Sequence, residues 1–496
     1  MNVFKDYDKK LVIPRWLSFR KALASKELSI PRGTAFEINT HTKQQLAIDY
    51  ADFKSNPTPH KASDLMSAAL VLGDQALAKE TAIVVADQAE AYPTPPILAQ
   101  QILVGIPQSD ASESSSIQIS KNKRFLSDHP RNPYIWLEQA RLYTLLGQPD
   151  SARRCVFVAL NLAPVDRHVL RSAARFFIHT NDLEPAWYYL QKASALIEDP
   201  WIRATEINVA ELLEKKIRKI RDIVPQDLGP AELFHFSELI ETAGILELTH
   251  GNDVQARRHF KRAWKNPSAN VVAHAEWILR HRMTGLAEDV KIDFSRSLEA
   301  TTLQNYHNFK IWDALLSATE WALEEPYSKQ PFTLGSFFAD HLKRFDIAER
   351  LAREGLRANP GDFTLNNNLC FALLKNDCLI SAEKELSRLQ EPEDASEKAV
   401  YFATSGLLQF KKGHVETGCE LYQKAIKLAI EIKNHRLAAR AAMYLAIAQI
   451  EAGVPLAWAM KKQALSMAEQ LSSPDIVLTR EELLGATPDR ILATRK

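Results

Sequence analysis

Glycine is scarce, at 16 of 496 residues, while alanine and leucine recur at helical spacing, so an all-helical chain is expected. Cysteine is scarcer still. The four that occur, Cys155, Cys370, Cys378 and Cys419, include no CxxC spacing, which argues against a disulfide framework or a thiolate zinc site and for separate thiols in a reducing compartment. No run of about 18 apolar residues is present to span a bilayer, and no apolar signal core follows the charged start MNVFKDYDKK, so a cytoplasmic protein with no membrane partner is expected. Charge of one sign is also missing. A net charge of +1 gives no whole-chain field toward nucleic acid or lipid, so any electrostatic preference must come from local patches.

The same absence extends to chemistry. The chain contains no GxxxxGK[ST] loop, no GxGxxG after a strand, no HExxH, no GxSxG, and no paired HRD and DFG motifs. His274 and Glu276 in AHAEW, with His281 seven residues on, form the one His/Glu grouping of note. A deaminase-type zinc site would need a Pro-Cys-x-x-Cys partner, which is absent, so these residues read as packed or surface groups. No cofactor is expected, and the chain is read as not an enzyme.

What is there is a repeat. Trp136, Ala140, Tyr143, Gly147, Ala152, Ala159 and Pro164 fall at positions 4, 8, 11, 15, 20, 27 and 32 of a unit running from Pro133 to Asp166. The spacing returns at Arg167 to Pro200, Ser237 to Asn270, Ser295 to Ser328, Lys329 to Asp362, Phe363 to Ser396 and Ala399 to Ile432. This pattern resembles the tetratricopeptide family, in which each 34-residue unit is two antiparallel helices. The large residues fill the space between them, the small ones let the backbones approach, and the proline ends the second helix. The resemblance implies an all-α, right-handed superhelical solenoid and covers about residues 60 to 472. Trp201 to Phe236, about Val271 to Phe294, and Ala439 to Ser472 read as degenerate or capping units, since stacked repeats need altered ends to close their core. Lys61 to Val104 reads as two or three further helices around Gly73 and Ala78.

The organisation expected is therefore an irregular segment over 1–58, degenerate repeats over 59–132, one repeat block over 133–294, a second over 295–472 with its capping unit, and a tail over 473–496. Gln108 to Ser116 reads as a polar loop and Met283 to Asp293 as a connector where the solenoid could bend.

Family members bind ligands through positions 2, 5, 9, 12 and 13 of the first helices. Projected onto this chain, those positions place Arg141, His168, Arg171, Arg175 and His179 in an N-terminal groove suited to an acidic peptide, because guanidinium forks grip carboxylates. Toward the C-terminus they place Phe337, Phe371, Leu374, Val400, Leu407 and Phe410, edged by Lys375 and Lys411. That apolar stripe would accept an amphipathic helix or extended peptide, unless the N-terminal segment or the helices around Met467 fill it. The family's dicarboxylate clamp is incomplete: Asn368 sits at its required position, but Thr333 and Phe337 precede it and Val400 and Thr404 follow it where Lys, Asn or Arg are needed. Two basic clusters offer an alternative. Lys215, Lys216, Arg218, Lys219 and Arg221 form one. Arg257, Arg258, Lys261, Arg262 and Lys265 form the other, at helical spacing that would face a phosphate backbone, with Glu211, Glu214, Glu238, Glu241 and Glu247 nearby to balance it.

The segments HPRNPYIWLEQARLYTLLGQPDSARR and TAGILELTHGNDVQARRHFKRAW resemble bacterial tetratricopeptide proteins. The resemblance implies a recognition or regulatory subunit beside a separately encoded effector enzyme, as in stress or phage-defence assemblies. Three readings follow, in order: a partner-binding scaffold, a helical-repeat nucleic-acid binder, and an enzyme of unrecognised chemistry. A second copy of the chain is one further partner the sequence leaves open.

Overall fold

A computed structural model describes residues 11–18, 43–72, 74–86, 115–128, 130–193, 199–215, 224–225, 227–283, 291–455 and 457–486. Apart from one short 3₁₀ turn, every regular element among them is an α-helix. The chain divides into two compact units, Leu11–Arg296 and a second that begins at Ser297.

The first unit contains α1 (Lys43–Ser55), α2 (Pro59–Leu72), α3 (Gln75–Ala86), α4 (Ser115–Asp128), α5 (Pro133–Leu145), α6 (Pro149–Leu162), α7 (Arg167–His179), α8 (Leu183–Lys192), α9 (Pro200–Leu212), α10 (Pro230–Thr249), α11 (Asp253–Ala263) and α12 (Ala269–His281). The second contains α13 (Leu298–His307), α14 (Ile311–Glu324), α15 (Lys329–His341), α16 (Phe345–Ala358), α17 (Phe363–Lys375), α18 (Leu379–Arg388), α19 (Ala395–Lys411), α20 (Val415–Glu431), α21 (His435–Glu451), α22 (Ala457–Ala468) and α23 (Pro474–Gly485). Within each unit most helices pack on their sequence neighbours, and several first helices, such as α15 and α17, also touch the next first helix. That is the contact pattern of stacked tetratricopeptide-like helix pairs.

Local chemistry sets these boundaries. Asp166, Asp199, Asp362 and Asp394 cap α7, α9, α17 and α19 through side-chain oxygens that accept backbone N–H groups, each worth about 1 kcal/mol. The first three of these caps are braced by the preceding unit: Tyr134 Oη donates to Asp166 at 2.7 Å, Arg167 Nε to Asp199 at 2.7 Å, and Lys329 Nζ pairs with Asp362 at 3.1 Å. Turns between paired helices need one left-handed residue, supplied by Gly147, Asn181, Phe309, Lys343, Asp377 and Gly413.

The packing between paired helices uses two kinds of close contact. A Cβ added to Gly355 would lie 2.7 Å from Phe332 Cβ, so the large residue at position 4 sits against the small one at position 27. At position 8, Gly244 lies under Phe260 and Gly406 under Tyr422, whose ring carbons stand 2.6 and 2.7 Å from where a methyl group on each glycine would fall. Both aromatics stand at position 24 of their units, where the family pattern also places a large ring.

Two expectations about element boundaries need correction. Residues 43–55, within the segment that reads as irregular, form α1, whose Leu46 and Phe53 are buried against Ala62, Leu65 and Met66 of α2. Leu11 to Ser18 has no regular secondary structure and is largely buried, with the Trp16 ring 5.9 Å from that of Phe176. The segment that reads as a tail begins with α23, whose Ile476 and Leu483 are fully buried. The family code does not reach these stretches, and without it helix and irregular chain look alike in the sequence. Residues 108–114 of the polar loop, 284–290 of the connector and Gly73 lie outside the described residues.

Candidate functional site

In the first unit the residues assigned to an acidic-ligand groove are occupied internally. Arg171 is 4% exposed and its guanidinium bonds Glu238, with Nη1 to Oε2 at 2.8 Å and Nη2 to Oε1 at 3.3 Å, while lying 4.8 Å over the Trp201 ring. Glu238 also accepts from Asn270 Nδ2 at 2.7 Å and from Ser268 Oγ at 3.3 Å. The polar demand of both ions is thus met inside the stack. His168 is buried, and burial lowers it to about 4, so it is neutral at pH 7. Arg141 bonds Glu138 one turn before it at 3.0 Å. Arg175 and His179 are half-buried on α7. The sequence reading of five cations around an open groove is corrected accordingly: α10 supplies a carboxylate from 67 residues away, which no local spacing announces.

The second unit separates the apolar stripe into two groups. Leu374, Leu407 and Phe410 are core: they belong to one cluster with Leu369, Leu373, Tyr422 and Leu445, and the Phe410 ring lies 2.6 Å from where a Cβ on Gly418 would stand. Phe337 and Phe371 instead line a cavity of about 70 Å³ between α15, α17, α19 and α21. Its other walls include Asp340, Asn367, Asn368, Val400, Thr404, Arg440 and Tyr444. Phe371 is half-buried and meets the Tyr444 ring edge to face at 5.5 Å, with Lys375 Nζ 5.5 Å over its own ring. Asn368 donates from Nδ2 to Ser336 Oγ at 2.8 Å and to the Thr333 carbonyl at 3.2 Å, while its buried Oδ1 has no hydrogen-bond partner among the described residues. Thr404 donates to Asn367 Oδ1 at 2.7 Å. Burial pushes Asp340 up to about 7, with Lys375 opposing and Glu482 adding to the rise. The cavity therefore combines aromatic walls, amide groups and one carboxyl whose protonated form burial favours.

Part of the same face is covered by α23, which packs on α21, α22 and α15. Asp475, fully buried, receives both arms of Arg436, Nη2 to Oδ1 at 2.7 Å and Nε to Oδ2 at 2.9 Å, and lies 3.4 Å from Arg440 Nη1. Burial alone would raise this carboxyl, yet the two guanidiniums hold it below the usual range. The backbone N–H of Asp475 donates to Tyr306 Oη at 3.3 Å, reaching α13. Sequence reasoning names the last helices as one filler of the stripe but gives no sign that Asp475 anchors them.

On α11, Arg257, Arg258 and Lys261 are exposed, as is Lys265 just beyond its end, whereas Arg262 is half-buried and donates to the Pro225 carbonyl. Glu238 and Glu241, expected to balance this patch, are both buried elsewhere. Of the other cluster only Lys215 is described, paired with Glu184 at 2.7 Å; Lys216, Arg218, Lys219 and Arg221 lie outside the described residues. His274 is fully buried, 2.6 Å from Glu241 Oε1, and Glu276 bonds Arg280 at 2.9 Å, so the AHAEW residues and His281 do not converge on an open site. Among the described residues no group of three metal-ligating side chains is found, and no helix is long and apolar enough to cross a membrane.

No family model matches the chain, and no curated protein matches it. Among solved structures it is similar to the APC/C hetero-tetramer Cut9–Hcn1, at 13% identity and a TM-score of 0.34, over 89% of this chain and 93% of that one. A human IFIT1 dimer with PPP-AAAA matches at 14% identity and 0.34, over 73% and 96%, and yeast Tom70 at 13% and 0.27, over 89% and 95%. At these values the likenesses say nothing of ligand or partner.

Proposed function

We propose that this chain is a protein-binding scaffold, and that its working surface is the cavity-bearing face of the second unit around Phe337, Phe371 and Tyr444. The observation that carries this reading is the cavity itself: it is walled by rings and amides, one of them with an unsatisfied buried oxygen, and it stands beside a helix that the same face already holds. A scaffold of this kind serves a separately encoded effector, whose segment would enter the cavity with an apolar side chain. The bacterial recognition or regulatory setting implied by the sequence resemblance is part of this proposal.

The test is mass spectrometry of what co-purifies with tagged protein, nuclease-treated, followed by affinity measurement for the stoichiometric partner. Phe371→Ser is expected to weaken capture by on the order of 30-fold, the effect of losing an anchor of about 2 kcal/mol, with helix content unchanged. Unchanged capture by that variant would remove this face from the account. Leu407 does not serve as a probe, because its loss would report on the core.

A second reading is favoured by one observation, the four exposed cations on and just after α11. Nucleic-acid binding there predicts that reversing Arg257, Arg258, Lys261 and Lys265 lowers affinity for a single-stranded oligonucleotide and flattens its salt dependence by several ion equivalents, about one per lost phosphate contact. An unaltered salt slope would discard the patch.

A further inference from the structure

We propose that α23 is a tethered occupant of a receptor face, and that this face takes in trans an amphipathic helix bearing two carboxylates seven residues apart. The inference rests on the scaffold reading and deepens it by naming the partner's chemistry.

The first ground is reach. A helix that only closed the stack would need α21 and α22. Instead α23 also packs on α15, meets Tyr306 of α13 through Asp475, and brings Glu482 to 4.0 Å from Lys375 of α17. It thus addresses the first helices of four pairs, along the row that carries the cavity.

The second ground is pattern. Asp475, Thr479 and Glu482 are spaced four and three apart, which sets them on one helical stripe. Both carboxylates meet a matching group, Asp475 the Arg436 and Arg440 guanidiniums and Glu482 the Lys375 ammonium, while the Thr479 hydroxyl donates to the Asp475 carbonyl at 2.7 Å. On the adjoining stripe, Ile476 and Leu483 enter an apolar cluster with Met443 and Ala464. The receptor therefore reads two carboxylates by cations and two aliphatic anchors by a groove, and any helix with that arrangement satisfies it.

The third ground is uneven grip. The Asp475 carboxylate is held by a bidentate pair, whereas the Glu482 carboxylate has one ion pair at the limit of such contacts, with the Asp340 carboxyl close enough to share its field; that end is otherwise held by Leu483 in the apolar cluster and by Lys461 Nζ, which donates to the Leu484 and Ala486 carbonyls at 3.3 and 3.2 Å. The helix has 12 residues, short enough to be marginal once detached. A competitor must overcome a tether equivalent to millimolar ligand.

Two measurements on the full chain decide it. In hydrogen exchange, amides 477–485 are expected to exchange at least tenfold faster than those in the middle of α17 and α21, through an opening below global unfolding. A labelled peptide of residues 472–486 is expected to bind the Asp475→Lys chain at least tenfold more tightly than wild type, and to lose that gain when Lys375→Glu is added. Protection of α23 equal to that of α21, with no peptide binding to either chain, would make α23 a fixed part of the core and overturn the inference. Should Asp475→Lys fail to fold, the exchange measurement on wild type decides alone. Locked α23 with Phe371-dependent capture intact would sink this inference and leave the scaffold reading standing.

Discussion

Arg171→Met is expected to destabilise the first unit by about 3–5 kcal/mol, because it strands the buried Glu238 carboxylate, which is 1% exposed. The remaining contacts, from Asn270 and Ser268, cannot neutralise a full charge inside the stack. An effect of that size is a large share of ordinary domain stability and would lower the melting temperature by on the order of 10 °C. The control is the double variant Arg171→Met/Glu238→Gln, in which the carboxylate is replaced by a neutral amide that Asn270 and Ser268 can still engage. Recovery of most of the loss in the double variant identifies an uncompensated charge as the cause; equal loss in both would assign it instead to the packing of the guanidinium on Trp201. The same geometry explains why an acidic ligand is not the expected reporter for this residue. Reversing Arg171 to Glu would place two carboxylates against each other in the core and unfold the region before any binding could be read.

How far the sequence can be read depends on the range of the interaction. The helix pairs are legible because their determinants are local: caps such as Asp166 and Asp362 lie beside the helices they start, and positions 4, 8, 20 and 27 meet within one unit. The register is also legible to within a few residues, although α10 begins at Pro230 and α21 at His435, ahead of the units that read as starting at Ser237 and Ala439. The candidate site is not legible in the same way. Arg171 looks like a groove cation because its partner lies 67 residues away, and Leu374 and Phe371 look equivalent although one is core and the other lines a cavity. Asp475 sits in a stretch the repeat pattern does not cover, yet it joins α13 and α21 across 169 and 39 residues. Lining positions are free of the packing code, so only the assembled unit assigns them.

Gly406→Leu is expected to be the most damaging single change in the second unit's helix packing. Gly406 of α19 and Gly418 of α20 face each other, each added Cβ falling 3.1 Å from the other's carbonyl oxygen, while Tyr422 and Phe410 close over them from opposite sides at 2.7 and 2.6 Å. A leucine there must displace both Tyr422, which is 2% exposed, and the backbone of α20. Overpacking of this kind costs about 3 kcal/mol or more, against a propensity gain of roughly 1 kcal/mol for losing a mid-helix glycine. Gly406→Ala brings only its Cβ against the Tyr422 ring, which must still shift, and is expected to cost less than leucine, on the order of 1–2 kcal/mol by denaturant melts. The contrast between the two variants is the informative quantity. A large loss for leucine with a smaller but real loss for alanine means that the helices are held at glycine distance by Tyr422 and Phe410. A neutral leucine would mean that α19 and α20 separate freely, and since α19 contributes Val400, Ala403 and Thr404 to the cavity wall, the cavity itself would then not be a fixed site.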